Sequence, residues 1–253
     1  MTAEEQVAPN IEAMAAMSAP ELRVAWKAFL AKQVAHCPPP KLEEPANITD
    51  STFQAPESIV PIRIYTPEGS GPFPCIVYYH GGGWVFGDLE MYDSLCRAMC
   101  VGAEAVLVFV DYRLAPENKF PAAAEDAYAG LCHVKENAQK YNIDTTRIAV
   151  AGDSAGGNLT AVVTLMARDR KGPNIKFQCL IYPGCNFNSG AGEKNVLLKY
   201  MRDAYLNNEE DMQNIYASPM RADLSGLPAG YLLTCDDDEL LDEGRRYCEK
   251  LKA

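Results

Sequence analysis

The 253-residue sequence predicts an α/β fold, a mainly parallel sheet with helices on both faces. Three observations lead there. Apolar strands alternate with amphipathic helices along most of the chain, the pattern of consecutive strand-helix-strand units. Residues 73–79 and 105–110 are nearly continuous apolar runs, as expected for strands covered on both faces. A glycine-rich polar turn, GDSAGG at 152–157, joins one such strand directly to a helix.

In chain order, apolar residues at helical spacing (Ile11, Met14, Met17, then Leu22, Ala25, Trp26, Leu30) predict two amphipathic helices over 9–35, divided at Ser18-Ala19-Pro20. The prolines after Cys37 end them, and 41–49 reads as a linker. Residues 59–65 alternate as a strand, 68–72 turn, and 73–79 is the first buried strand. A helix over 89–103 leads to the strand 105–110. Asp111, Arg113 and Glu117 follow it, opposite charges close enough in sequence to brace a loop against itself. A helix over 121–141 with Pro121 in its first turn leads to the strand 147–151. After the glycine turn come a helix over 156–168 and a strand over 177–182. Residues at about 185–215 then lose the alternation and read as an insertion over the sheet. A strand over 231–234 and a helix over 240–252 follow.

Composition narrows the function classes. A formal charge of −11 and a pI near 4.8 argue against nucleic acid or an anionic membrane as partner. The acidic start lacks the basic and apolar regions of a signal peptide, and no apolar stretch is long enough to span a membrane. Nine cysteines without a C-x-x-C pair predict free thiols in a reducing compartment, hence a cytoplasmic protein. No metal, nucleotide or flavin pattern is present, so no cofactor is expected.

Chemistry concentrates at two glycine-rich turns. Gly152, Ser154 and Gly156 fit the G-x-S-x-G nucleophile elbow, in which flanking glycines leave room for a strained serine exposed above a sheet. The helix that follows aims its unpaired N-H groups at charge developing there. The alternative is a serine that only caps the helix. Upstream, His80-Gly81-Gly82-Gly83-Trp84 ends a buried strand, and three glycines can turn their N-H groups inward as an oxyanion hole. A flexible hairpin is the alternative there. His80 is expected to shape this loop rather than act as a base, and His133 to be a surface or packing residue. Acidic residues at the end of the strand after the elbow region, Asp236 to Asp238, are candidates for a triad acid or for charge at a helix start.

With HGGGW at 80–84, Asp111 to Glu117 (DYRLAPE), GDSAGGN at 152–158, Tyr216 to Pro219 and Asp242-Glu243-Gly244, the chain resembles the hormone-sensitive-lipase-like esterase branch of the α/β-hydrolase fold. The resemblance implies Ser154 as nucleophile, the N-H groups of Gly82, Gly83 and Ala155 as oxyanion hole, and Asp238 as acid. In the acid motif Glu239 stands where the family has proline. It further implies a helical cap over 1–45 and a hydrolase core over 46–253 with a cap-like insertion at about 185–215. The expected reaction is hydrolysis of small or short-acyl carboxylic esters through an acyl-enzyme, with a small-molecule ester as partner and room for a homo-oligomer. The family's histidine lies on a loop after one further strand. Here only His36, His80 and His133 occur, and none follows Asp238. The expectation is a C-terminally incomplete family member, with last strand and histidine loop absent and little or no activity. The alternative is a non-catalytic small-molecule binding protein on the same scaffold.

Overall fold

The computed structural model describes residues 17–36, 44–188, 190 and 195–253. Helix α1 (Ala19–His36) is entered at Ser18, whose N-H and Oγ both donate to the Glu21 carboxylate at 2.9 and 2.5 Å. The earlier of the two expected N-terminal helices falls on residues outside those described. Seven strands form one sheet in the order β1-β2-β4-β3-β5-β6-β7: β1 (Asn47–Gln54), β2 (Ile59–Thr66), β3 (Phe73–Tyr79), β4 (Val106–Val110), β5 (Ile143–Asp153), β6 (Phe177–Ile181) and β7 (Gly230–Leu233). β1 and β2 are antiparallel to their neighbours, and the pairs from β4 through β7 are parallel.

Helices cover both faces. Along β3 and β5 successive side chains alternate between them. Val77, Tyr79 and Val150 face a core closed by α3 (Ala122–Glu136) and α4 (Ala155–Asp169), which Leu180 and Leu232 extend to α6 (Leu241–Lys252). Tyr78, Phe109 and Ala151 face α2 (Leu89–Gly102) through its buried Cys96 and Cys100. Among the described residues no helix is long and apolar enough to cross a membrane.

Three readings of the sequence need correction. The segment read as a linker over 41–49 runs into β1, a full edge strand paired with β2 from Asn47 to Gln54. Helix α3 stops at Glu136, where the N-H of Asn137 caps its last turn, and the chain then turns into β5 at Ile143. The charges of 111–117 do not brace that loop against itself. Arg113 pairs with the buried Asp126 of α3 at 2.8 Å, and Glu117 pairs with Arg23 of α1 at 2.7 Å.

The expected insertion contains α5 (Val196–Tyr205) and a short 3-10 turn, Glu209–Gln213. Helix α1 lies against the outside of the HGGGW loop. Its Arg23 donates to the carbonyls of Val85 and Ala115, and Trp26 stacks on Phe86 at 5.3 Å.

Candidate active site

Ser154 stands at the junction of β5 and α4 with φ 52° and ψ −114°, a left-handed conformation that a non-glycine residue holds only under constraint. The constraint comes from three backbone hydrogen bonds. Its N-H donates to Ile181 O at 2.9 Å, and its carbonyl accepts from Asn158 N at 2.9 Å and Gly184 N at 3.3 Å. The glycines beside it are sterically required. A Cβ on Gly152 would lie 2.3 Å from Gly156 O, and one on Gly156 would lie 1.9 Å from Tyr79 O.

The HGGGW loop turns back over this corner. Gly82 and Gly83 have φ of 107° and 60°, and the Gly82 carbonyl accepts from Val85 and Phe86 N-H in a tight turn. Asp153 fastens the loop to the elbow. Its Oδ1 accepts from Gly81 N at 2.9 Å and from Tyr78 Oη at 2.8 Å, and its Oδ2 accepts from Tyr92 Oη at 3.0 Å. Burial raises the Asp153 pKa, against the opposing pull of these donors.

Ser154, Ala155, Gly83 and Trp84 line one open cleft. Its remaining walls come from Gly184, Asn186 and Phe187 after β6, from Leu198, Met201 and Arg202 on α5, and from Leu240 and Glu243 at the start of α6. The described part of the N-terminal region contributes no residue to it. Met201 lies hard against the glycine loop, its sulfur 2.1 Å from where a Gly83 Cβ would stand. Trp84, also at positive φ, stacks on Tyr205 of α5 at 4.4 Å.

Of the residues singled out in the sequence, Ser154, Ala155 and Gly83 meet in this cleft and Gly82 lies one residue behind it. Asp238 sits in the turn before α6, its Oδ1 accepting from Leu240 N at 2.9 Å, two residues before the cleft wall begins. None of the three histidines lines the cleft. His36 ends α1 on the surface. His133 stacks on Phe53 at 4.9 Å and shares a hydrogen bond with Tyr141 Oη at 2.9 Å.

His80 is fully buried. Its ring stacks on Tyr112 at 4.2 Å, its Nδ1 is 2.7 Å from Gly81 O, and its Nε2 is 4.0 Å from Asp111 Oδ1. Burial pushes His80 down to about 4 and Asp111 up to about 6. His80 therefore shapes the loop as a neutral ring.

The sequence reading did not find the α5 wall or the inward direction of Glu243. Helical spacing within 196–205 was the one available signal for α5. Among the described residues no group of three or more His, Cys, Asp or Glu side chains is arranged to hold a metal ion.

Comparison with known proteins agrees with this architecture. A family model described as alpha/beta hydrolase fold matches residues 76–253. Carboxylesterase NlhH of Mycobacterium tuberculosis is 42% identical over 210 residues, covering 77% of this chain and 66% of its own length. Carboxylic ester hydrolase LipN of the same organism is 39% identical over 228 residues, covering 82% of this chain and 60% of its own. The chain thus spans 60–66% of the length of these two relatives. Among solved structures, an esterase of Pyrobaculum calidifontis is 39% identical with a TM-score of 0.86, covering 94% of this chain and 80% of that one. The carboxylesterase EstE1, cloned from a metagenomic library, is 38% identical with a TM-score of 0.87, covering 94% and 84%. The serine corner, the glycine loop bonded to it and the match over 76–253 lead to one conclusion: the chain belongs to the alpha/beta hydrolase fold family.

Proposed function

We propose that the protein is a carboxylic ester hydrolase of the hormone-sensitive-lipase-like branch, with Ser154 as its nucleophile. The observation that carries this reading is the strained Ser154 at the floor of a cleft walled by Gly83 and Ala155. In this reading Ser154 Oγ attacks the ester carbonyl. The N-H groups of Gly82, Gly83 and Ala155 receive the negative charge on the carbonyl oxygen, the alcohol leaves, and water releases the acyl group. Trp84, Phe187, Leu198 and Met201 give the cleft an apolar lining suited to a short acyl chain. Asp238 is the triad acid by its place in the turn before α6. In this reading α1 belongs to an N-terminal cap region and 46–253 to the hydrolase core, with α5 in an insertion at about 185–215. Eight free cysteines among the described residues support a reducing, cytoplasmic setting. The relatives named as carboxylesterases supply the substrate class, a small-molecule ester.

A second reading rests on one observation, the lack of any histidine in the cleft. A serine without a base keeps the pocket but loses most of the chemistry, so the 253-residue chain on its own binds ester-sized ligands and turns them over slowly. Loss of the triad histidine leaves a rate on the order of a millionfold below a complete site. The experiment is hydrolysis of a short-chain aryl ester by the protein beside its Ser154→Ala variant, with intact-mass detection of the acyl-enzyme. Slow hydrolysis and an acyl adduct, both lost in the variant, are expected. Equal rates in the two proteins would overturn Ser154 as nucleophile, and fast Ser154-dependent turnover would reveal another base at the site.

A further inference from the structure

The cleft contains a buried carboxylate that the ester-hydrolase reading leaves without a task. Glu243 lies in the first turn of α6, is 6% exposed, and lines the same cleft as Ser154. Its Oε1 accepts from the backbone N-H of Cys185 at 2.5 Å and of Asn186 at 3.3 Å. A carboxylate in the interior persists only where donors compensate its lost hydration. Here two amide dipoles do so through charge-assisted bonds, and the start of α6 favours negative charge.

The peptides that Glu243 holds are the far side of the nucleophile's own support. Gly184, one residue before Cys185, donates its N-H to Ser154 O at 3.3 Å. The Gly184 carbonyl accepts from Asn158 Nδ2 at 2.7 Å, and that amide also donates to Ala217 O at 2.8 Å. Cys185 O accepts from Met220 N at 3.0 Å. A continuous run of bonds therefore leads from Glu243 through 184–186 to the peptide of Ser154. On the opposite side Asp153 and the glycine loop hold the corner. Ser154 keeps its left-handed backbone only while its surroundings determine it from both sides.

We propose that Glu243 is a positioning residue for Ser154: its carboxylate pins the 184–186 loop against the elbow and so fixes the direction of the nucleophile. This rests on the reading of Ser154 as nucleophile. A displacement of an ångström at such a centre is enough to slow attack on the order of a hundredfold.

The test is the rate at which a fluorophosphonate modifies Ser154, followed by intact mass. The Ser154 Oγ-phosphorus bond forms as the P-F bond breaks, the fluoride leaves and the hydroxyl proton passes to solvent water, and the adduct is read directly with no second, deacylation step. Wild type is compared with Glu243→Ala, Glu243→Asp and Glu243→Gln. The Ala variant has no acceptor, and the Asp variant keeps the charge on a side chain one methylene too short to reach both amides. Both should lower the maximal labelling rate on the order of ten- to a hundredfold with the half-saturating probe concentration unchanged. Amide exchange at Cys185 and Asn186 should rise in both. The Gln variant retains the acceptor oxygen and should restore most of the rate. Should Glu243→Ala not fold, the Asp and Gln pair still decides the matter.

Faster exchange with an unchanged labelling rate would overturn the proposal, because it would mean that Glu243 only stabilises the loop. Equal slowing in the Asp and Gln variants would overturn it as well. A Ser154→Ala protein that labels as fast as wild type would instead refute the nucleophile reading, while the exchange data would still report on the pin.

Discussion

One carboxylate oxygen of Asp153 accepts the backbone N-H of Gly81 at 2.9 Å, so the residue before the serine is bonded to the residue before the two loop glycines. The two halves of the site, 72 residues apart in sequence, are thereby one rigid unit. A Cβ at Gly81 would stand 2.2 Å from the other oxygen, which shows how closely the loop approaches. Asp153→Ala strands the hydroxyls of Tyr78 and Tyr92, while the Gly81 N-H keeps Tyr92 Oη as a second acceptor at 3.0 Å. With each of the two orphaned hydroxyls costing ~1–3 kcal/mol, we expect a loss of about 2–6 kcal/mol in urea unfolding and loss of Ser154 reactivity. Asp153→Asn keeps the shape and one acceptor and should cost about half as much. Unchanged stability in Asp153→Ala would remove the tie from the account.

His80 and Asp111 set opposing pH dependences. The folded value of Asp111, about 6, lies above its ordinary 3.8. Between these values the folded state holds a proton that the unfolded chain has released, so this group makes stability fall as pH rises from 4 to 6. The folded value of His80, about 4, lies below its ordinary 6.5. In that window the unfolded chain holds the extra proton, and stability rises with pH. Each effect is at most about 3 kcal/mol, and in the wild type they largely cancel. Asp111→Asn should therefore gain stability relative to wild type as pH goes from 4 to 6.5. His80→Phe, whose ring can keep the stack on Tyr112, should lose it. Denaturant unfolding at several pH values checks both, and profiles parallel to wild type in both variants would contradict the assignment.

What the sequence made legible follows from how local each signal is. β3 and β4 were readable because burial on both faces leaves a continuous apolar run. The elbow was readable because Gly152, Ser154 and Gly156 satisfy a steric demand within five residues. β1 was not: NITDSTFQ lies at the sheet edge with one buried side chain, Phe53, and carries almost no hydrophobic alternation. The partners of Arg113 and Glu117 were not, because Asp126 and Arg23 are reached only once the chain has folded. The part played by α5 was hidden for the same reason. Leu198 and Met201 are ordinary apolar positions of a short helix until the fold sets them over Gly83.

Among the described residues the outer strand β7 pairs on one side only, with β6. Tyr231 and Leu233 project from the same face as Phe177 of β6 and are 54%, 38% and 39% exposed, without a charge, proline or bulge to blunt the edge. Such an edge pairs readily with another strand. We expect the 253-residue chain to self-associate with rising concentration in light scattering, and Tyr231→Lys or Leu233→Lys to weaken this. Leu232 is unsuited to the test, since it packs inward against the cluster around Tyr247. A monomer at all concentrations, with β7 amides protected from exchange, would dispose of the idea.

Asp238 is expected to serve as the triad acid, and the cleft offers a way to test it in the chain as it stands. Free imidazole can occupy the space where no histidine side chain reaches, taking the proton from Ser154 while a carboxylate orients its second nitrogen. Asp238 is better placed for that task than its neighbours. It is half-buried and fixes the turn into Leu240, which lines the cleft, whereas Asp236 and Asp237 are exposed. Added imidazole should accelerate aryl ester hydrolysis above its own background rate, and Ser154→Ala should abolish the excess. Asp238→Asn should lower that excess on the order of tenfold or more, and Asp236→Asn and Asp237→Asn should leave it unchanged. An imidazole effect that survives Asp238→Asn but is lost in Asp236→Asn or Asp237→Asn would transfer the role to that neighbour.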